Sequence, residues 1–324
     1  MSWIDRYLTY LTTVRRYSPR TQDLYREALS AFRDFAGGEE DLLGSLTAPL
    51  LRSYEVYLLD ERKMDARTVN QQLSVLSGFC RFLTKEGVLA SNPVRTVKRP
   101  KMEKRLPDFY RNDALSVYFA RTEADASEET LPLVMGRDKV SQAAYSRRLS
   151  RLIISLLYGT GIRRAELCSL TVGSVDWGRR VLRVRGKGDK MREIPLLPSL
   201  CKEISLYLQS VESMDGSERA AKDPLLVTPG GTPVYPVFVD RTVKRELGGV
   251  EGISGKKSPH VLRHSLATEL LNRGADLNAI KELLGHASLA ATQVYTHNSI
   301  EKLKSVYVNA HPRAKSGGKN GDQS

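Results

Sequence analysis

Three prolines, at positions 93, 100 and 107, constrain this chain more than any other feature. A proline ring fixes φ, removes a backbone donor and interrupts a helix or a central strand. No single element can run through this stretch, and 324 residues are enough for a separate core on each side of it. The expected division is a helical domain over 1–88, a linker over 89–107, a larger domain over 108–312 and a disordered tail over 313–324. The linker holds Arg95, Lys98, Arg99, Lys101, Lys104 and Arg105 against one acid, Glu103, whereas residues 1–88 balance basic and acidic side chains. Such a segment is either a solvated hinge or a strap across a phosphate backbone, and charge alone weighs the two equally.

The first domain reads as four helices. Trp3, Tyr7 and Leu11 line one face of the opening segment. Ser18-Pro19 is a hydroxyl cap followed by a first-turn proline, and Leu24, Ala28, Phe32 and Phe35 follow at helical spacing before Gly37-Gly38. Thr47-Ala48-Pro49 opens the next helix, with Leu51, Tyr54 and Leu58 inward. Asp65 caps the last, which turns Val69, Leu73, Leu76, Phe79 and Phe82 or Leu83 to the core.

Beyond the linker, residues 120–146 read as a polar loop with some helix, and Arg148–Leu157 as a helix. Val181–Arg185, the glycine-rich turn Gly186–Lys190 and Met191–Pro195 form a strand, turn and strand. Leu200–Val211 is helical, Leu225-Leu226-Val227 is a short strand, and helices resume from His260. The fold class is mainly α with a small β-sheet.

A formal net charge of +13 and a pI near 9.6 call for a polyanionic partner, nucleic acid before an anionic membrane surface. The chain start lacks the basic-then-apolar plan of a signal peptide, and no apolar run is long enough to span a bilayer. Cys80, Cys168 and Cys201 show neither zinc spacing nor a disulfide framework, which fits a reducing cytoplasm. All five histidines, His260, His264, His286, His297 and His311, fall in the last quarter without His-Glu-x-x-His spacing or a carboxylate cluster. No metal and no cofactor is expected.

Four short motifs carry the chemistry. They are Gly161-Ile-Arg163-Arg164-Ala-Glu166-Leu167, the turn Gly186-Lys187-Gly188, His260-Val-Leu-Arg263-His264, and Leu283-Leu-Gly285-His286 followed by Thr292-Gln-Val-Tyr295. In this order they resemble the arginine boxes, strand-turn lysine and nucleophile segment of the tyrosine recombinases, and the ending Ala310-His-Pro-Arg-Ala314 resembles the Xer branch. Leu266 and Glu269 depart from residues often aromatic and histidine in that family, at positions expected to face packing.

The resemblance implies DNA strand transesterification. Tyr295 is the nucleophile that forms a 3′-phosphotyrosyl link; Arg163 and Arg263 hold the non-bridging oxygens; His260 is the base; Lys187 is the acid for the 5′ oxygen; and His286 orients the phosphate. Glu166 and His264 are implied in support. These residue types suit the task. A phosphorane-like state spreads negative charge that two planar guanidiniums can hold bidentately. A phenol with a pKa near 10 needs help to ionise. The resemblance also implies a two-domain clamp, with an N-terminal core-binding domain and a C-terminal α+β catalytic domain, around double-stranded DNA carrying a specific site. Arg67, Asn70 and Gln71, with Lys98, Arg99, Lys101, Lys104 and Arg105, are the candidate DNA contacts. Four protomers, identical or paired with a second recombinase, would exchange strands through a Holliday junction, with an accessory or motor protein as a possible activator. The C-terminal segment (Leu303, Val306, Tyr307, Val308) docks on a neighbour or packs in cis. No arm-binding domain precedes Trp3, which favours the simple recombinases. The expected role is chromosome or plasmid dimer resolution in the cytoplasm, at the nucleoid. Mobile-element integration, DNA inversion and type IB topoisomerase activity are the alternatives that share the chemistry. A non-catalytic DNA-binding protein and an RNA-binding scaffold leave the four motifs unexplained.

Overall fold

The computed structural model describes residues 1–102, 109–131, 138–186, 189–216 and 218–285. Lys104, Arg105, Lys187, His286, Tyr295, His297, His311 and the C-terminal segment lie outside the described residues. The chain divides into two compact units, residues 1–105 and 106–324.

In the first unit every helix starts on a side-chain cap that occupies an otherwise orphaned N–H. Ser2 caps α1 (Trp3–Thr13), Ser18 caps α2 (Pro19–Phe35), Thr47 caps α3 (Ala48–Val56), and Asp65 caps α4 (Ala66–Lys85). The Asp65 carboxylate accepts the Thr68 N–H at 2.6 Å. A π-helical turn over Tyr57–Glu61 extends α3. Tyr7, Leu11, Phe32, Leu51, Tyr54, Leu58, Leu73, Leu76 and Phe79 form the core. Burying each such side chain contributes on the order of 1.5–3 kcal/mol.

The expected linker is not free along its whole length. Val94 and Val97 join this core, and a 3-10 turn forms over Pro93–Thr96. Side chains of the strip and of α4 tie the two together. Asn92 Nδ2 donates to the Ser77 carbonyl at 3.1 Å, and Asn70 Nδ2 donates to the Pro100 carbonyl at 3.0 Å. Arg99 Nη1 donates to Ser74 Oγ at 2.8 Å and to the Asn70 carbonyl at 3.2 Å. A proline-rich strip cannot make a full ladder, and α4 supplies the partner for the Pro100 carbonyl.

The second unit is built on α6 (Lys139–Thr160), buried on every side from Arg148 onward. Around it come α5 (Asn112–Arg121), α7 (Arg164–Cys168), α8 (Pro198–Asp215), α9 (Pro236–Gly248), α10 (Pro259–Asn272) and α11 (Leu277–Leu284). Helices α8, α9 and α10 pack directly on α6. Strands β1 (Val175–Asp176), β2 (Val181–Arg185) and β3 (Met191–Pro195) form an antiparallel sheet in chain order. Its register pairs Val184 with Arg192 and Leu182 with Ile194.

Three expectations differ from what forms. Helix α6 begins nine residues before the expected Arg148, because Asp138 caps it by accepting the Ser141 N–H at 2.7 Å. Leu225–Val227 is not a strand; isolated bridges flank it at Pro224 and Val227. There Tyr207 Oη accepts the Val227 N–H at 2.8 Å and Tyr145 Oη donates to the Val227 carbonyl at 2.7 Å, while the Leu225 N–H donates to the Leu170 carbonyl and the Leu226 carbonyl accepts from the Val234 N–H. Helix α9 was not expected, and it carries Asp240 toward the site. Among the described residues no helix is long and apolar enough to cross a membrane.

Candidate active site

Arg163 is the extended N-cap of α7, and Glu166 stands at the third helical position. The Glu166 carboxylate accepts the Arg163 backbone N–H at 2.7 Å and Arg163 Nη1 at 2.8 Å. The three-residue spacing thus makes a reciprocal helix cap as well as an ion pair. It also fixes which arginine faces the site. Arg164, next in the chain, pairs with Asp240 of α9 instead.

Arg263 reaches the same place from α10. It is 7% exposed, and its Nη1 donates to the Gly161 carbonyl at 2.6 Å while Nη2 donates to the Leu284 carbonyl. Arg163 Nη2 donates to the next carbonyl, Gly285, at 3.0 Å. Two guanidiniums therefore sit side by side on the C-terminal carbonyls of α11, where the helix dipole is negative and favours cations. Burial and the Arg163 charge push the Arg263 pKa down to about 10, with Glu166 opposing and Arg192 adding to the depression. Arg263 stays charged at neutral pH, in surroundings that an anion would relieve.

A third arginine joins them. Arg192 of β3 is 6% exposed; its Nη1 and Nη2 donate to Glu166 Oε1 and Oε2 at 2.9 and 2.8 Å, and its Nε donates to the Leu283 carbonyl at 3.2 Å. Burial alone would raise the Glu166 pKa, but Arg192 and Arg163 hold it below the ordinary carboxylate range. Gly285 makes room: a Cβ there would lie 3.2 Å from Arg192 Cδ, Nε and Nη1, and its φ of +63° ends α11 in the left-handed region. Sequence reading missed Arg192. The available signal was strand alternation, which puts it on the inward face with Ile194.

His260 lies in the first turn of α10 and is exposed. Its pKa is lowered by partial burial, then by Arg164, Arg263 and Lys256, with Asp240 opposing. The lowered pKa favours the neutral imidazole, the form able to accept a proton. His264, one turn on, is half-buried. Tyr110 fastens this end of α10: its N–H donates to Ser265 Oγ at 2.7 Å and its hydroxyl to the Lys256 carbonyl at 2.8 Å. Leu266 is buried, and Glu269 pairs with Arg273 of the same helix end at 2.6 Å.

Lys187 is outside the described residues, but the root of its turn is defined. The Gly186 N–H donates to the Lys190 carbonyl at 2.8 Å, and a Cβ on Gly186 would lie 3.5 Å from Arg192 Nη1 and 3.7 Å from Glu166 Oε1. The turn therefore springs from beside the Glu166–Arg192 pair.

In the first unit, Arg67, Gln71, Lys98, Arg99 and Lys101 are exposed. Asn70 does not belong with them. It is 9% exposed and spends its amide on the Pro100 carbonyl, because helical period turns it toward the strip that α4 carries. Arg52, absent from the sequence reading, joins Lys98, Arg99 and Lys101 around a 550 Å³ cleft also lined by Glu55 and Thr96.

Residues 134–302 match the phage integrase family, and residues 4–87 match the N-terminal SAM-like domain of phage integrases. The chain is 33% identical to "Tyrosine recombinase XerC" of Chlorobaculum parvum, over 96% of this chain and 95% of that protein. Among solved structures, the Tn1549 transposon integrase in complex with circular intermediate DNA matches with a TM-score of 0.65 at 19% identity, covering 93% of this chain and 98% of that one. A lambda integrase tetramer bound to a Holliday junction matches at 0.61 and 21%, covering 90% and 79%. These two likenesses concern the fold. The sequence matches along both units go further: the chain belongs to the phage integrase family and is a Xer-like site-specific tyrosine recombinase, an enzyme of DNA recombination.

Proposed function

We propose that the protein resolves DNA dimers by conservative strand exchange at a specific site. The observation that carries this reading is the placement of Arg163 and Arg263 on consecutive carbonyls of α11. Two like charges held side by side next to His260 suit a dianionic transition state shared between them.

Tyr295 Oη attacks the scissile phosphorus, the P–O5′ bond breaks, and a 3′-phosphotyrosyl ester forms. The phenolic proton passes to His260, whose neutral form is favoured by partial burial and by its cationic neighbours. Lys187 protonates the departing 5′ oxygen, and His286 orients the phosphate. Arg163 and Arg263 each have N–H groups beyond those given to the protein, five being available per guanidinium. The phosphotyrosyl ester is close in energy to the phosphodiester it replaces, so a partner strand's 5′ hydroxyl reverses the step without ATP. Glu166 is a positioning residue, and His264 supports the helix turn that holds Arg263 and His260.

The basic cleft around Arg52, Lys98 and Lys101, with Arg67 and Gln71, contacts the DNA backbone and grooves. Lys104 and Arg105, the next basic residues in the sequence, are assigned to the same phosphate contacts. Two sites are held by four protomers, identical or shared with a second recombinase, around a Holliday junction, as the lambda integrase tetramer holds one. The enzyme works in the cytoplasm on the nucleoid.

The test is covalent capture. Unsubstituted protein and Tyr295→Phe are expressed, and DNA attached to each is sequenced. Attachment at one or two recurrent sequences, lost in the variant, is expected; chromosomal or plasmid resolution sites support the reading, and element ends or inverted repeats replace it with integration or inversion. Scattered attachment means a topoisomerase. Alanine at Arg163 or Arg263 should slow cleavage by roughly 10²–10³-fold.

A further inference from the structure

We propose that Arg192 is a positioning residue of strand exchange: it locks the Glu166 carboxylate to the end of α11, so that Arg163 and Arg263 keep a fixed spacing around the phosphate. This rests on the recombinase reading above.

The geometry is unusually constrained. Both Glu166 oxygens are used twice. Oε1 takes Arg163 Nη1 and Arg192 Nη1, and Oε2 takes the Arg163 N–H and Arg192 Nη2. Without Arg192, a carboxylate that is 5% exposed keeps only the partners supplied by Arg163. The third Arg192 donor, Nε, goes to the Leu283 carbonyl. Leu283, Leu284 and Gly285 are thus held in succession by Arg192, Arg263 and Arg163. A helix end would otherwise offer these carbonyls to water. Arg192 is the member of the trio whose three guanidinium nitrogens all donate to protein, from a side chain 6% exposed. It is therefore a brace, whereas Arg163, with its side chain 36% exposed, remains open to a ligand.

Lysine cannot replace it. A point charge reaches one carboxylate oxygen or the Leu283 carbonyl, not the two oxygens and the carbonyl together. The brace also gives Glu166 a titration signature. The charges facing that carboxylate are Arg163 on its own element, Arg192 from β3 and Arg263 from α10. Removing Arg192 removes the largest opposing influence on a buried acid, so Glu166 takes up a proton at higher pH and releases Arg163 when it does.

The experiment uses nicked duplexes carrying the sequence recovered by covalent capture, in single-turnover cleavage with full-length protein. Arg192→Met and Arg192→Lys are compared, each checked for folding by circular dichroism; should the methionine variant fail to fold, the lysine variant decides. Expected are unchanged DNA affinity, cleavage slower on the order of a hundredfold for methionine and by less for lysine, and an acid limb of the pH profile moved upward. A duplex with sulfur in place of the bridging 5′ oxygen, whose leaving group needs no proton, should restore Lys187→Ala but leave the Arg192 defect as large as before. Cleavage by both variants at the unsubstituted rate with an unmoved acid limb would overturn the inference, as would rescue of the Arg192 variants by sulfur. If unsubstituted protein attaches no DNA, the recombinase reading falls first and this inference with it.

Discussion

Arg263 donates through Nη1 to the carbonyl of Gly161, 2.6 Å away, so the residue that ends α6 also anchors the second arginine of the site. Gly161 sits at φ +64°, and a Cβ there would meet Leu284 Cδ2 at 2.6 Å and Leu266 Cδ2 at 3.0 Å. Alanine at this position should destabilise the protein by on the order of 1–3 kcal/mol from backbone strain, before any clash is counted. Urea unfolding measures the loss. Because the carbonyl moves with the backbone, the variant should also cleave DNA more slowly than its folded fraction explains.

The imidazole of His260 should titrate below the ordinary value near 6.5. Its neighbours give the shift opposite handles. Arg164→Gln removes a charge that lowers it, so the pKa should rise; Asp240→Asn removes the one carboxylate that raises it, so the pKa should fall further. NMR titration of the His260 ring reads both directly. If His260 is the base, the acid limb of DNA cleavage moves in the same direction as the ring in each variant.

A buried ion pair braces the middle of the second unit. Arg151 Nε lies 3.3 Å from Glu203 Oε1, with the two side chains 6% and 3% exposed, and Ser155 Oγ donates to the same oxygen at 2.8 Å. Removing one partner strands the other charge in the core. Arg151→Met alone should cost about 3–5 kcal/mol, and Arg151→Met with Glu203→Leu should cost less than that single change. Equal losses in the single and double variants, by urea unfolding, would contradict this account.

Lys98 and Lys101 point into solvent from a strip that Asn70 and Arg99 hold against α4. If they neutralise phosphates, replacing either with alanine should lower the slope of log affinity against log salt by about 0.9. Fluorescence anisotropy on a duplex containing the captured site gives the slope. Asn70→Ala should weaken binding differently, by loosening the strip while leaving each charge in place.

Much of this molecule is written locally. Caps at Ser18, Thr47 and Asp65, apolar residues at helical spacing, and the glycine turn between two alternating strands are all short-range signals, and they fixed the first unit and the β2–β3 hairpin. The motif residues Arg163, Glu166 and Arg263, which meet at the end of α11, stood out for a similar reason: residue type within a few positions marks them. Tertiary contact decided the rest. Leu225–Val227 has strand-like residues, yet Tyr145 and Tyr207, distant in sequence, take both backbone groups of Val227. Asn70 looked like one more polar side chain until Pro100 claimed its amide. Arg192 stayed unremarked in a strand because its role exists only where β3, α7 and α11 meet. Local propensity can place a side chain on a face, but a buried charge is stable only beside partners that other segments bring, and the sequence alone does not say which segments those are.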